Sequence, residues 1–311
     1  MNKSFTLIEI LIVIVVIGTL SAFILIGMSS ITDSANITKG KAFSDSLRNS
    51  LLTNLVSEWK LDEGTGTQIK DSWGISANGN FGCYGTSCVN PQWKLSSCVS
   101  GSCIEFDCLR NYGDPDGSAG SYVRIEQNSD INLLANKPFT LEYWIKFNRF
   151  IVGDYVGTVM KGSFGSSYGH LTTGRNIIVY TDDDTGAELQ VVNFFDSGEV
   201  NKWVHIVQTY DSNQKIIIYK NSKTSTGYQS GTGIELTINA SPLFLGTNAG
   251  TIYFFDGFLD DVRIYKEALV SFKIKKNYYI GINKLFKNKE ISIIEFNQRL
   301  AELRYSLANN E

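Results

Sequence analysis

One carboxylate stands inside a long apolar run: Glu9 is the only ionisable side chain in the segment FTLIEILIVIVVIGTLSAFILIGM, residues 5–28. A charge in a membrane-length helix is costly, so Glu9 needs a partner that neutralises it. Cysteine chemistry is confined to one window, holding Cys83, Cys88, Cys98, Cys103 and Cys108. On an exported chain such a cluster forms disulfides. Pairing Cys83 with Cys88 and Cys98 with Cys103 is the simplest connectivity and leaves Cys108 over, although spacing alone does not prove it. A structural zinc site is the alternative, but the C-x2-C spacing is missing and neither histidine, His170 or His205, lies nearby in sequence. No Ser-His-Asp or Cys-His arrangement can be assembled. Aromatics on loops stack on sugars, and Trp73, Tyr84 and Trp93 are the ones a core demands least, which makes them candidate ligand platforms.

The elements that must position these residues begin with the apolar run. Leu7 to Met28 spans 22 residues; at about 1.5 Å per residue it reaches about 33 Å, enough to cross a hydrocarbon core of about 30 Å. Lys3 precedes it, so the positive-inside bias keeps the first residues cytoplasmic and sends the remainder outward. Phe5-Thr6-Leu7-Ile8-Glu9 resembles the N-terminus of type IV prepilins and pseudopilins, where a short basic leader is cut immediately before a Phe and the Glu becomes the fifth mature residue. The resemblance implies a cut between Ser4 and Phe5 by a prepilin peptidase, with Ser4 standing where the family usually has Gly. It implies further that the new ammonium at Phe5 of one subunit meets Glu9 of the next, making Glu9 a register key for assembly, since a charge left unpaired at low dielectric is costly. An ordinary secretory signal cleaved near Gly27-Met28-Ser29 and a plain single-span anchor are the competing readings. The likeness to pilins covers about the first fifth of the chain.

Composition restricts the rest of the chain. There are 311 residues, 28 Lys plus Arg against 31 Asp plus Glu, a net charge of −3, and no basic block, so no nucleic-acid partner is expected. Short apolar runs punctuated by Gly, Ser, Asn and Thr fill the middle, the pattern of many short strands. Phe139, Leu141, Tyr143 and Ile145 alternate with Thr140, Glu142, Trp144 and Lys146, which predicts a half-buried antiparallel strand. Trp59, Trp144 and Trp203 fall inside such strands and are assigned to packing, and a turn is expected through Lys220-Asn221-Ser222. In order along the chain, Glu58-Trp59-Lys60-Leu61-Asp62, Pro138-Phe139-Thr140-Leu141-Glu142-Tyr143-Trp144, Trp203-Val204-His205-Ile206 and Phe255-Asp256-Gly257-Phe258-Leu259-Asp260-Asp261-Val262-Arg263 resemble LamG-like, concanavalin A-like jelly-roll domains. That resemblance implies a structural Ca²⁺ held by Asp71, the backbone around Asn78, and Asp261, a hard cation served by oxygen ligands. Some domains of this fold are glycosidases, which need paired carboxylates, but the Glu-x-Asp-x-x-Glu pattern of one such family is absent and no catalysis is expected.

Two further helical stretches flank this middle. Phe43, Leu47, Leu51 and Leu55 recur every four residues, extending the first helix to about residue 54. At the other end Ile274, Tyr278, Ile282 and Leu285 form one stripe, and Phe296, Leu300, Leu303 and Leu307 form another, with a capping box at Ser292-Ile293-Ile294-Glu295. The expected fold is mainly β with helical ends: a long N-terminal transmembrane α-helix, an antiparallel jelly-roll β-sandwich, and a C-terminal α-helical hairpin folded back on the sandwich. Residues 1–4 form the leader, 5–54 the pilin-type helix with its membrane span at 7–28, 55–269 the LamG-like domain and 270–311 the hairpin.

The function expected from these features is that of a minor pilin. It is held in the cytoplasmic membrane before assembly and extracellular in a pilus afterwards, packs with other pilin subunits, and displays a head that binds a glycan or a surface protein. A pseudopilin of a type II secretion or DNA-uptake machine, and a membrane-anchored carbohydrate-active enzyme, are the alternatives. The mature chain is expected to start at Phe5 with a methylated amine, which intact-mass and N-terminal peptide analysis of surface material checks. A start at Ser29 or Ser30 would establish an ordinary signal peptide instead.

Overall fold

The computed structural model describes residues 54–308 except 74–76, 87, 109–118, 130, 133–136, 163–167, 182–187, 214, 226–227 and 231–239. Ser4, Phe5, Glu9, the expected span at 7–28 and the helix to residue 54 therefore lie outside the described residues. Within them, no helix is long and apolar enough to cross a membrane.

Seventeen strands are described: β1 (Leu55–Trp59), β2 (Gln68–Ile69), β3 (Gly79–Tyr84), β4 (Gln92–Lys94), β5 (Cys103–Phe106), β6 (Gly120–Ile125), β7 (Phe139–Phe147), β8 (Val156–Lys161) and β9 (Tyr168–Thr173). They continue with β10 (Asn176–Thr181), β11 (Glu188–Val191), β12 (Val204–Tyr210), β13 (Ile216–Lys220), β14 (Lys223–Ser225), β15 (Tyr228–Ser230), β16 (Leu243–Leu245) and β17 (Gly257–Tyr265), and two helices end the chain, α1 (Ser271–Lys287) and α2 (Ile293–Ala308). The first sheet runs β14-β13-β12-β7-β17-β5-β4, with β1 beside β5 along the same edge of β17, and the second runs β15-β11-β10-β9-β8-β16-β6-β3-β2. Every pairing is antiparallel. Between β13 and β14 the chain reverses through Asn221 (φ 50°) and Ser222 (φ 67°), two left-handed residues as a tight hairpin turn requires.

The core lies between the sheets. Phe139, Leu141, Tyr143, Ile145 and Phe147 of β7 point into it, beside Ile206 and Tyr210 of β12 and Leu259 of β17, and meet Val159, Ile177 and Leu245 from the second sheet. A polar island sits in this core: Tyr143 Oη is 2.7 Å from His170 Nδ1 and 3.1 Å from Thr158 Oγ1.

The opposite face of β7 corrects the expectation of a half-buried strand, because all nine of its residues are buried. Thr140, Glu142, Trp144 and Lys146 face away from the core; α1 covers Glu142 and Trp144, the Ser97 carbonyl with the Trp203 and Phe258 rings closes over Lys146, and Thr140 bonds the segment leading into α1. Gly281 makes this close approach possible: a Cβ there would run into the Trp144 ring. Tyr278 stacks on Trp144 with ring centres 5.8 Å apart, and Ile282 and Leu285 complete the apolar seam with Trp203. The buried carboxylate inside the seam is matched on several sides. Glu142 accepts from His205 Nε2 at 2.8 Å, Tyr265 Oη at 3.0 Å and Asn277 Nδ2 at 2.8 Å. Burial pushes the Glu142 carboxyl up, but the hydrogen bond and charge of His205, then Arg263, bring it below its ordinary value.

The first helical stripe is buried as expected, whereas the second ends early. Leu303 is buried and Leu307 is 44% exposed, with Tyr305 at 65%. Half of the capping box forms: Glu295 N–H donates to Ser292 Oγ at 3.1 Å, but the Glu295 carboxylate turns to Arg299 at 2.7 Å. Arg299 in turn donates to the Trp203 carbonyl, fastening α2 to the sheet. Phe286 and Phe296 join the helices, ring centres 4.7 Å apart.

A bulge in β17 sets two adjacent carboxylates in opposite environments. Register slips between Asp260 and Arg263 where Asp261 adopts a left-handed φ of 49°. Asp261 faces Arg263 at 3.0 Å and Lys284 of α1 at 2.9 Å. Burial works against its charge, yet Arg263 and then Lys284 hold the carboxyl well below the ordinary range. Asp260 accepts only the N–H groups of Val99 and Ser100, at 2.8 and 3.1 Å; burial and then the charge of Asp261 push it well above its ordinary value.

These environments set two expected outcomes. Asp261→Asn should cost roughly 3 kcal/mol, since removing one partner of a buried pair strands the cations, while Asp260→Asn, an isostere of the protonated acid, should be no less stable than the parent at pH 7; urea melts check the pair. Burial lowers the His170 imidazole from its usual 6.5 to about 3. The unfolded ring takes a proton that the folded ring refuses, so stability present above pH 6.5 is lost as pH falls towards 3. Between pH 7 and pH 5 this one group removes about 2 kcal/mol, and the slope should flatten in His170→Gln.

Candidate functional site

The Cys83–Cys88 and Cys98–Cys103 pairs are both disulfides, and Cys108 is a buried thiol. Their surroundings differ. Cys98–Cys103 closes a loop packed beneath α1: Ser97 carbonyl accepts from Lys146 Nζ at 2.8 Å and Trp203 Nε1 at 3.0 Å, Ser102 N–H donates to Asp62 at 3.0 Å, and Asn288 donates to the Val99 carbonyl at 3.1 Å. With every side fastened, this loop serves the architecture. Cys83–Cys88 lies at the surface end of β3 and pins the short loop that starts at Tyr84.

Asp71 and Asn78 are brought together, but as a turn. Asp71 Oδ1 accepts the N–H groups of Glu58 and Trp73, each at 3.0 Å, and Asn78 Oδ1 accepts the Asp71 N–H at 3.0 Å. Next to them Glu58 links Ser72 at 2.7 Å to Arg263 at 2.9 Å. Asp261 stands beyond Arg263 with each oxygen opposite a cation. Among the described residues no group of three or more His, Cys, Asp or Glu side chains is placed to hold a metal.

The three candidate aromatics are dispersed. Trp93 is half-buried, packs on Phe81 at 5.3 Å between ring centres, and donates its indole N–H to the Gly66 carbonyl at 2.8 Å; it plugs the edge of the sandwich. Trp73 is 39% exposed beside the Asp71 turn. Tyr84 is 45% exposed and lies on buried Phe254 in a stacked pair, ring centres 6.3 Å apart. Of the three, Tyr84 alone combines an open ring, a rigid support and a disulfide anchor.

Neither histidine is available for chemistry on a ligand, since His170 and His205 are both sealed, one against Tyr143 and the other against Glu142. The network around Glu142, His205, Arg263 and Tyr265 was missed from the sequence because polar residues alternating along a strand read as a wet face. The only signal was Gly281 within the apolar stripe of a helix, which marks a close approach.

Relatives extend this picture. A curated protein, the type IV major fimbrial protein FimA of Dichelobacter nodosus, is 26% identical over 164 residues, 53% of this chain and 92% of that protein. Similar solved structures include the binding domain of Paraclostridial Mosquitocidal Protein 1 (TM-score 0.54, 18% identity, covering 75% of this chain and 53% of that one). Another is the binding domain of Botulinum Neurotoxin DC in complex with SialylT (TM-score 0.53, 15% identity, 73% and 52%). The chain thus spans about half the length of these structures, and the likeness is one of fold. Residues 116–275 match the concanavalin A-like lectin/glucanases superfamily, and β1, which precedes that span, completes the same sheet by pairing with β17. The chain belongs to the concanavalin A-like lectin/glucanases superfamily.

Proposed function

We propose that this protein is a pilin-like subunit, minor rather than major, that carries a lectin-like binding head on a type IV pilus or related filament. The observation that carries the proposal is the coexistence of the superfamily match over residues 116–275 with a type IV fimbrial relative. Phe5-Thr6-Leu7-Ile8-Glu9 supplies the assembly chemistry, and a head of this size is easier to place at a filament tip or sparsely than in every subunit. Prepilin peptidase and the cytoplasmic membrane are the partners before assembly, and other pilin subunits afterwards. The head binds without altering its ligand. The binding domain of Botulinum Neurotoxin DC, about half of which is similar to this chain, occurs in complex with SialylT and with rat synaptotagmin II, which supports a binding role.

Replacing Glu9 tests the filament half. Glu9→Val should insert in the membrane as well as the parent, because the span becomes more apolar, yet its amount in sheared filaments should fall at least about tenfold, as the neighbour's ammonium loses its partner. Equal amounts in parent and variant filaments would refute the assembly role. Release of reducing ends from a polysaccharide panel would refute the binding role and favour an enzyme.

A further inference from the structure

We propose that the outward face of β3 and β6 is a saccharide site in which Tyr84 and Tyr122 form the platform for a neutral pyranose chain. This deepens the lectin-like reading of the head and rests on it. The geometry starts from the strand register, where Tyr122 lies opposite Gly82 and Tyr84 opposite Gly120. Residues paired across an antiparallel ladder share a face, so both tyrosines project outward as diagonal neighbours, about 7–8 Å apart at the backbone.

The facing glycines decide how the rings lie. A Cβ on Gly82 would come within 2.6 Å of two Tyr122 ring carbons, so the Tyr122 ring is spread over that backbone. A Cβ on Gly120 would likewise collide with Phe254, the ring that supports Tyr84. Phe244 meets Tyr122 edge-on at 6.0 Å between ring centres, and Gly250 closes behind both. Each tyrosine thus has one side supported, and Tyr84 is exposed while Tyr122 is half-buried. Cys83–Cys88 restrains the loop at Tyr84, which lowers the ordering cost on binding.

Polar groups next along the same face fix the ligand class. Asn80 pairs with Arg124 in register, and both side chains are exposed. Asn80 accepts from Gln68 at 3.3 Å, and Arg124 is 3.0 Å from Glu126. Sugar rings offer C–H faces to aromatic faces and hydroxyls to amides, guanidinium and carboxylate groups, and two aromatics beside such a row present both. Because Glu126 balances Arg124, the row has no net charge, which favours a neutral sugar over an acidic one.

Full-length protein in a zwitterionic detergent without sugar groups is titrated calorimetrically with cellotetraose, maltotetraose, triacetylchitotriose and 3′-sialyllactose. At least one neutral oligosaccharide should bind, and Tyr84→Ala should weaken it about tenfold or more, with Trp73→Ala unchanged. Tyr84 is exposed, so near-ultraviolet circular dichroism should report an intact fold in that variant, and Asn80→Ala gives an independent weakening that does not touch the aromatic stack. Binding lost in Trp73→Ala and kept in Tyr84→Ala would overturn this site while leaving the lectin-like head in place. Binding of sialyllactose alone, abolished by Arg124→Ala, would overturn the neutral-sugar assignment. No binding by any of the four would overturn the platform, and the filament role would still be judged separately by the Glu9→Val comparison.

Discussion

Glu142 has no access to water, and much of the structure depends on how that is tolerated. Removing a carboxylate from solvent costs several kcal/mol, which three hydrogen bonds and a nearby guanidinium must offset. The drive to close the seam is apolar: truncating a buried Trp typically costs about 3–5 kcal/mol, and Trp144 is one of several large side chains between sheet and helix. Polar matching selects the arrangement. A helix slipped by one turn would take Asn277 from Glu142 and Lys284 from Asp261 together, leaving two buried charges short of partners. Docking of α1 is therefore driven by area and registered by charge.

Much of the fold was legible from the residues. Alternation in 139–146 marked a strand, the four-residue stripe from Ile274 to Leu285 marked a helix with one buried face, and Asn221 marked a turn. What stayed hidden were facts about partners distant in sequence. Alternation says which residues share a face, not what covers it: Glu142 is covered by α1, and Lys146 by the Ser97 loop with Trp203 and Phe258. The pairing of Asp261 with Arg263 two residues on and Lys284 in the following helix is likewise a fact about partners that spacing does not give. Tyr84 could be singled out as an aromatic without a core duty. Its companion Tyr122 could not, since only the register of β3 and β6 brings the two to one face.

The two disulfides separate stability from recognition. Cys98–Cys103 belongs to the buried seam and holds the loop whose backbone N–H groups donate to Asp260 Oδ2. Cys83–Cys88 lies by a sheet surface whose glycines leave room for aromatic rings. Each pair is five residues apart, so neither joins distant parts of the chain; both stiffen a local excursion from an already paired strand. Variation in the surface loop can thus be accommodated without loosening the attachment of the hairpin.

Strand β17 lies beside β7, β5 and β1, yet it follows every other described strand in the chain. Until it emerges, the first sheet has a gap at its middle and β1 has no pairing partner, so the contacts that close it join residues near 55 to residues near 265. Contacts of such long sequence separation make folding slow. A chain of this design passes through an incomplete stage, with an open edge on β7 that invites pairing with other unfinished chains. Correct closure of the first sheet therefore depends on residues 257–287 arriving before the early strands find the wrong neighbour.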